Sequence, residues 1–310
     1  MPSILIINPN SSVSITETLK GLLEPPPDFR YTFFTGPSAT RCNTSPILSS
    51  QESVETPATI ITSTTTLSDD DDVRSQDSDA TAANSDTCSN KSCISLDSWK
   101  STSITDSSST QQFTLLAPSQ IDSWSTSVIS AAACMPHVIP LIAEHDAFLV
   151  ACFSDHPLVG MLREAVPAHK PVMGIFQASV LSSLAMGTRF AIVTTATIWE
   201  RLLDEAVASM IGSSAAIHYA GTYSTGLGVL EIHELPMQTV KKKLVACAVK
   251  AVRERGATAI VLGCAGLSGL DSAIREAVGP KVAIIDSVVA GTEMLAGIVR
   301  SKASFFGEDI

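Results

Sequence analysis

The sequence predicts an α/β fold: two pseudo-symmetric parallel-sheet domains with the active site in the cleft between them, plus a long disordered insert. Three observations lead to this prediction. Continuous apolar runs alternate with helical segments, which is typical of parallel sheets that are covered on both faces. This pattern occurs twice, and in each copy a cysteine follows a central apolar run. A third segment, residues 42–112, has neither the apolar runs nor a helical period.

Four apolar runs, each followed by a helical segment, are the predicted central strands. They read ILII, AFLVA, FAIVTT and AIVLG, and they begin at residues 4, 147, 190 and 259. Two of the following helices have capping-box spacing at their starts, namely Ser14 with Glu17 and Thr197 with Glu200. These pairs therefore predict helix N-termini at Ser14 and Thr197.

The duplication is clearest when Asp146–Val166 is placed over Thr258–Val278 without a gap. Cys152 then falls on Cys264, and the REAV sequence that ends each segment also coincides. Ligands of open parallel sheets bind beyond the carboxyl ends of the strands. We therefore expect the two thiols to face each other across one cleft.

Residues 42–112 are rich in Ser, Thr and Asp, and they include Cys88 and Cys93. Such a segment buries too little apolar surface to offset its ordering entropy, so we predict that it is disordered. The first domain then comprises residues 1–41 and 113–178 together with a C-terminal helix at 288–310. The second domain comprises residues 179–287.

Composition excludes several classes of function. With a formal net charge of −11 and no basic stripe, nucleic acid is an unexpected partner. We find no apolar stretch of membrane-spanning length and no secretory signal, and the seven cysteines are scattered, so we expect a cytoplasmic protein without membrane contact. The oligomeric state stays open, a homo-oligomer included.

No metal or other cofactor is expected. Asp155 and His156 follow Cys152 closely and suggest a Cys–His pair or a zinc site. However, no second Cys/His cluster completes a recognised metal spacing, and no glycine-rich phosphate loop is present.

Two opposed thiols suit a reaction in which a proton leaves one face of a carbon and returns to the other. One thiolate is the base, the opposite thiol is the acid, and the roles exchange in the reverse direction. Both cysteines lie where a helix is expected to begin, which would lower their pKa values. Each cysteine taken alone is equally compatible with a small buried core residue.

Small and polar residues near the predicted strand ends complete the candidate site. Gly263, Ala265 and Gly266 would admit a substrate to the Cys264 sulfur and offer backbone N–H groups to a developing oxyanion. The loop Asn8–Ser12 carries amide and hydroxyl groups that suit a carboxylate or an imide, or simple helix capping. Thr194 and Thr195 are likewise compatible with either ligand binding or helix capping.

The stretches ILIINPNSS, DAFLVACFSDHPL, PVMGIFQAS, FAIVTT and AIVLGCAGLSGL, in this order, resemble the Asp/Glu/hydantoin racemase family, and most of all its fungal Dcg1-like branch. The resemblance covers the chain except for the insert. It implies the two-domain fold of that family, no cofactor, and a small-molecule substrate whose α-carbon lies between Cys152 and Cys264. Typical substrates are 5-substituted hydantoins, including allantoin. The implied substrate-binding residues are Asn10, Ser11, Ser154, Thr194, Thr195, Gly263, Ala265 and Gly266.

The chain departs from the pattern of bacterial hydantoin racemases, which more often read CFGDPG where this chain has CFSDHP. Ser154, His156 and Gln177 are the departures that bear on substrate choice. The main hypothesis is a cofactor-independent racemase of hydantoins or ureides. The alternatives are a related decarboxylase or cis–trans isomerase of small dicarboxylates, or a non-catalytic binding or scaffold protein.

Overall fold

The computed structural model describes residues 1–39 and 115–307. Within these ranges the chain forms two four-stranded parallel sheets, one in each half of the sequence. The predicted insert at 42–112, with Cys88 and Cys93, lies outside the described residues. The first sheet contains β1 (Ser3–Asn8), β2 (Arg30–Thr35), β3 (Ala147–Val150) and β4 (Val172–Gly174), and the second contains β5 (Phe190–Thr194), β6 (Tyr219–Ser224), β7 (Ala259–Leu262) and β8 (Ala283–Asp286).

The two sheets have the same topology. Their strand orders are β2-β1-β3-β4 and β6-β5-β7-β8, so β3 and β7 hold equivalent inner positions. The register agrees as well, since Ile7 pairs with Val150 in the first sheet and Val193 pairs with Leu262 in the second. The predicted pair of parallel-sheet units is confirmed, and β3 and β7 coincide in the ungapped overlay of the two halves.

Helices cover both faces of each sheet. In chain order they are α1 (Val13–Leu22), α2 (Trp124–Val138), α3 (Pro157–Ala165), α4 (Ile175–Ala185), α5 (Ile198–Ile211), α6 (Ala215–His218), α7 (Glu231–Glu234), α8 (Met237–Arg255), α9 (Asp271–Val278), α10 (Ser287–Arg300) and α11 (Lys302–Phe306). Short 3-10 turns occupy Ile139–Glu144, Gly212–Ser214 and Ala265–Leu267.

Alternate strand residues face two different cores, which explains the continuous apolar runs. In β1, Ile4 and Ile6 belong to a core shared by both sheets, which also contains Ile192 and Val261. Leu5 and Ile7 pack into a separate core on the outer face of the first sheet. The inner strands are buried on both faces and bring the two halves together through the shared core.

The last long helix, α10, follows β8 but packs against α4 and against β3 and β4 of the first sheet. Gly291 makes this contact close, because a Cβ there would lie 2.6 Å from Leu149 Cδ1. The second half of the sequence therefore supplies a helix that covers the first sheet.

Neither predicted capping box forms. Helix α1 begins at Val13, so Ser14 lies inside it, and Glu17 pairs with Lys20 at 2.8 Å. Thr197 does precede α5, but its side chain makes no capping bond, and Glu200 instead accepts hydrogen bonds from Ser224 at the end of β6. The spacing located the region of each helix start, but Glu17 pairs within its own helix and Glu200 pairs with a neighbouring strand.

The expectation that no apolar stretch reaches membrane-spanning length is wrong by length and composition. Among the described residues, Trp124–Glu144 has 21 residues and a mean hydropathy of 1.6. It comprises α2 and the 3-10 turn after it, and it contains Pro136. The residues of α2 that are buried, such as Ala131 and Cys134, belong to the outer core of the first sheet.

Candidate active site

A cavity lies beyond the carboxyl ends of the inner strands and takes residues from both halves. Its volume of about 40 Å³ is room for about three water molecules. The lining comprises Asn10, Ile15, Ile121, Ala151, Cys152, Phe153, Thr194, Thr195, Trp199, Val229, Gly263, Cys264, Ala265 and Gly266.

The two cysteines hold equivalent places in this cavity. Cys152 lies two residues after the end of β3, and Cys264 lies two residues after the end of β7. Both line the same cavity, as the duplication predicted. The Ser154 hydroxyl lies 3.7 Å from the Cys152 sulfur, and the Gly266 N–H donates to the Cys264 sulfur at 3.3 Å.

The expected helix starts after the cysteines are not where the sequence placed them. After Cys152 the chain bends, and α3 begins only at Pro157 with His156 as its N-cap. After Cys264 the chain forms only the 3-10 turn Ala265–Leu267. Neither thiol therefore lies at the N-terminus of an α-helix.

The pKa of each thiol is raised, contrary to the sequence-based expectation. Burial raises the pKa of Cys152 to about 12, although the Ser154 hydroxyl opposes this shift. Burial likewise raises the pKa of Cys264 to about 11, against the lowering effect of the Gly266 and Leu267 N–H groups. Desolvation outweighs these hydrogen bonds, so both groups are neutral thiols at pH 7.

Two polar side chains offer donors to a bound molecule. Asn10, which is 7% exposed, accepts a hydrogen bond from the Ser12 N–H on its Oδ1, and its amide nitrogen donates to none of the described residues. Thr195 is 2% exposed, and its hydroxyl likewise makes no hydrogen bond within the described residues. These two groups are available to a substrate carbonyl.

Thr194 and Gly263 line the cavity but have their hydrogen bonds taken by the protein. The Thr194 hydroxyl donates to the Gly263 carbonyl at 2.8 Å, and the Gly263 N–H donates to the Val193 carbonyl at 2.8 Å. A Cβ on Gly263 would lie 2.6 Å from Ile192 Cγ2. The absence of a side chain at Gly263 is thus required by strand packing, and its N–H is not an oxyanion donor.

Ser11 and Ser154 were predicted substrate contacts, and neither lines the cavity. The Ser11 N–H donates to the Pro118 carbonyl at 2.9 Å, which joins this loop to the segment that follows residue 115. Ser154 is 3% exposed and lies behind Cys152, where it also borders a second pocket with Asp155 and Trp199.

His156 does not pair with Cys152. Its Nδ1 accepts the Leu158 N–H at 3.2 Å, and its Nε2 lies 3.0 Å from the Ser130 hydroxyl. Burial lowers the pKa of His156 to about 4, so the ring is neutral. Among the residues that the structure describes, no group of three or more His, Cys, Asp or Glu side chains is arranged to hold a metal ion.

Sequence reasoning missed the apolar wall of the cavity. Phe153 lines one side of the cavity and packs edge to face on Phe176, with ring centroids 5.7 Å apart. Residues from separate segments complete the wall: Ile15, Ile121, Trp199 and Val229. Only Trp199, in the first turn after the Thr194–Thr197 loop, had a sequence signal, because a tryptophan near a strand end suits a ligand pocket.

The lining is uncharged. Over the described residues, it contains no Asp, Glu, Lys, Arg or His, and the two thiols are its only ionisable groups. A free carboxylate or ammonium group buried in this cavity would lack an ionic partner. The arrangement therefore suits a neutral, polar ring better than a dicarboxylate.

Comparisons with known proteins agree with the fold and identify the family. Residues 109–295, more than half of the chain, match the Asp/Glu/Hydantoin racemase family. The chain is 27% identical over 198 residues to Protein DCG1 of Saccharomyces cerevisiae, covering 59% of this chain and 80% of that protein. It is 34% identical over 166 residues to a hydantoin racemase of Rhizobium meliloti, covering 52% and 65% respectively.

A solved allantoin racemase from Klebsiella pneumoniae shares the fold, with a TM-score of 0.63 at 18% identity, over 97% of this chain and 88% of that one. The chain belongs to the Asp/Glu/hydantoin racemase family, and it is an isomerase of the racemase class.

Proposed function

We propose that this protein racemises neutral five-membered imides, namely 5-substituted hydantoins or allantoin-like ureides, by two-base proton transfer between Cys152 and Cys264. The observation that carries the proposal is a single uncharged cavity lined by both thiols. The hydantoin racemase among the relatives and the allantoin racemase fold support the same class of substrate.

In the proposed reaction, one cysteine thiolate removes the α-proton from one face of the ring carbon. The electron pair moves into the adjacent carbonyl, and the opposite thiol delivers its proton to the other face. The Asn10 amide and the Thr195 hydroxyl donate to the carbonyl oxygen as it gains negative charge. The starting thiolate ends as a thiol, so no proton is gained or lost overall.

We place the rest of the substrate from the shape of the cavity. The ring substituent lies against the apolar wall that contains Trp199 and Val229. The cavity of about 40 Å³ is narrow for a five-membered ring, so we propose that its walls adjust when a substrate binds.

The raised thiol pKa values set a requirement for this mechanism. A thiol with a pKa of about 11 is ionised in only about one molecule in ten thousand at pH 7. Ionisation must therefore become easier when the substrate binds. Polar ring groups placed beside the sulfur supply this effect, because they replace the apolar surroundings that raise the pKa.

The test uses single enantiomers of allantoin, benzylhydantoin and isopropylhydantoin in D2O, with optical rotation and α-deuterium content measured together. We expect loss of rotation coupled to deuterium incorporation. C152S and C264S should each lose racemisation, yet each should still exchange the α-proton of one enantiomer, and the two variants should act on opposite enantiomers. C247S is the matched control and should racemise normally, because Cys247 lies on α8 and donates to the Ser224 carbonyl.

Three results would contradict the proposal. The first is wild-type protein without rotation loss or exchange across the panel. The second is a single cysteine variant that still racemises at the wild-type rate. The third is carbon dioxide release from substituted malonates in place of racemisation, which would favour the decarboxylase alternative.

A further inference from the structure

The two catalytic candidates have different hydrogen-bond surroundings, although the backbone repeats. In the second half, the Gly266 N–H, two residues after Cys264, donates to the Cys264 sulfur at 3.3 Å. The next N–H, that of Leu267, donates to the Cys264 carbonyl at 3.0 Å. The sulfur and the carbonyl of Cys264 thus each have their own backbone donor.

In the first half, the sulfur and the carbonyl of Cys152 do not each have a backbone donor among the described residues. The Ser154 N–H, two residues after Cys152, donates to the Cys152 carbonyl at 3.1 Å. That amide is the sequence equivalent of the Gly266 N–H in the ungapped overlay, and it is already used. Among the residues that the structure describes, the Cys152 sulfur therefore has no equivalent backbone donor.

The Ser154 side chain takes the position of the missing backbone donor to the Cys152 sulfur. Its hydroxyl lies 3.7 Å from the Cys152 sulfur, within hydrogen-bond range for sulfur, and makes no other hydrogen bond among the described residues. Ser154 is 3% exposed and does not line the cavity. A buried hydroxyl aimed at a sulfur stabilises negative charge on that sulfur by donating to it.

We propose that Ser154 is a positioning residue for Cys152: its hydroxyl donates to the Cys152 thiolate and replaces, in the first half, the backbone donor that Gly266 supplies to Cys264. This inference rests on the proposed two-thiol function. It also removes Ser154 from the set of substrate contacts, because its hydroxyl acts on the sulfur and not on the bound ring.

Few other groups can influence Cys152. Cys264 lines the same cavity, and a charge on its sulfur disfavours a charge on the Cys152 sulfur. On its own loop, Asp155 is exposed and accepts from Gln177 at 3.4 Å, and the His156 ring is neutral and bonded to Ser130 and Leu158. The Ser154 hydroxyl is the uncharged donor that a substitution can remove.

The test compares S154A with S154T and with the matched control S183A. Ser183 is also fully buried, and its hydroxyl donates to the Ser179 carbonyl within α4, away from either sulfur. Iodoacetamide labelling between about pH 7 and about pH 9, read for each cysteine by peptide mass spectrometry, gives a rate that is proportional to the thiolate fraction of Cys152, with Cys264 as the internal reference.

We expect S154A to lower the labelling rate of Cys152 about tenfold at each pH, since a hydrogen bond to a charged group is worth roughly a tenfold change in ionisation. The Cys264 rate should stay unchanged, S154T should restore most of the loss, and S183A should show none. An unchanged Cys152 rate in S154A, or an equal decrease at both cysteines, would overturn the assignment.

Turnover supplies a second readout. The two enantiomers have equal free energies, so S154A must lower kcat/KM equally in both directions, and we expect about a tenfold decrease. The labelling result stands whether or not the protein racemises hydantoins. Failure of the proposed function would therefore show as absent turnover in wild type, and failure of the Ser154 assignment as an unchanged Cys152 labelling rate in S154A.

Discussion

The neutral histidine beside the active-site loop predicts a loss of stability in mild acid. His156 is 2% exposed, and its Nδ1 accepts the Leu158 N–H at the start of α3. Since Nδ1 is an acceptor, Nε2 carries the hydrogen and donates to the Ser130 hydroxyl, which in turn donates to the Ser127 carbonyl at 2.8 Å. Protonation of Nδ1 would break the cap and place a charge in an apolar site.

The size of the effect follows from the pKa of His156, which burial lowers from 6.5 to about 4. Below pH 6.5 the His156 side chain binds a proton in the unfolded chain, whereas in the folded chain it stays neutral until the pH approaches 4. The stabilisation is therefore complete above that pH and is lost as the pH falls toward 4. Between about pH 7.5 and about pH 5 the loss amounts to roughly 2 kcal/mol.

The assay is urea unfolding followed by circular dichroism at several pH values, with H156N as the comparison. Asparagine can cap a helix and does not titrate, so H156N should lose about 2 kcal/mol less than wild type over the same interval. Equal losses in the two proteins would refute the reasoning, because another group would then be the source of the acid sensitivity.

The buried thiols and two of the glycines lead to further expected outcomes. Because burial raises the pKa of both cavity thiols, kcat/KM for racemisation should increase steadily from about pH 7 to about pH 10. Optical rotation measures this rate, and a plateau below about pH 8 would contradict the prediction. Gly263→Ala should lower the free energy of unfolding by about 3 kcal/mol through its clash with Ile192. Gly160 is exposed on α3 and a Cβ there would have nothing within 4 Å, so Gly160→Ala should raise the free energy of unfolding by up to about 1 kcal/mol. Thermal unfolding measures both glycine variants, and equal behaviour would refute the packing argument.

The predicted central strands are confirmed as β1, β3, β5 and β7, whereas the outer strands were not predicted. The central runs are buried on both faces and therefore apolar throughout. Outer strands such as β2 and β6, with sequences RYTFFT and YAGTYS, are mostly only half-buried and lack this signal. A mixed composition is compatible with a loop, so only pairing with a neighbouring strand defines these elements.

The candidate site was predictable in its polar part more than in its apolar part. Asn10, Thr195 and the two cysteines follow strand ends, and all of them line the cavity. Ile121 comes from a segment without regular structure and enters the site only through the packing of that segment. No local pattern separates such a residue from ordinary core.

By itself, the sequence determined the duplicated α/β architecture and the two cysteines at equivalent positions, because periodicity and repetition are local properties of the chain. Only the tertiary structure decided how each thiol is solvated and what donates to it. Burial raises the pKa of Cys152 and Cys264, where sequence position alone suggested lowering, since desolvation depends on every segment that packs around the sulfur. The role of the Ser154 hydroxyl likewise depends on which backbone amides the fold has already used.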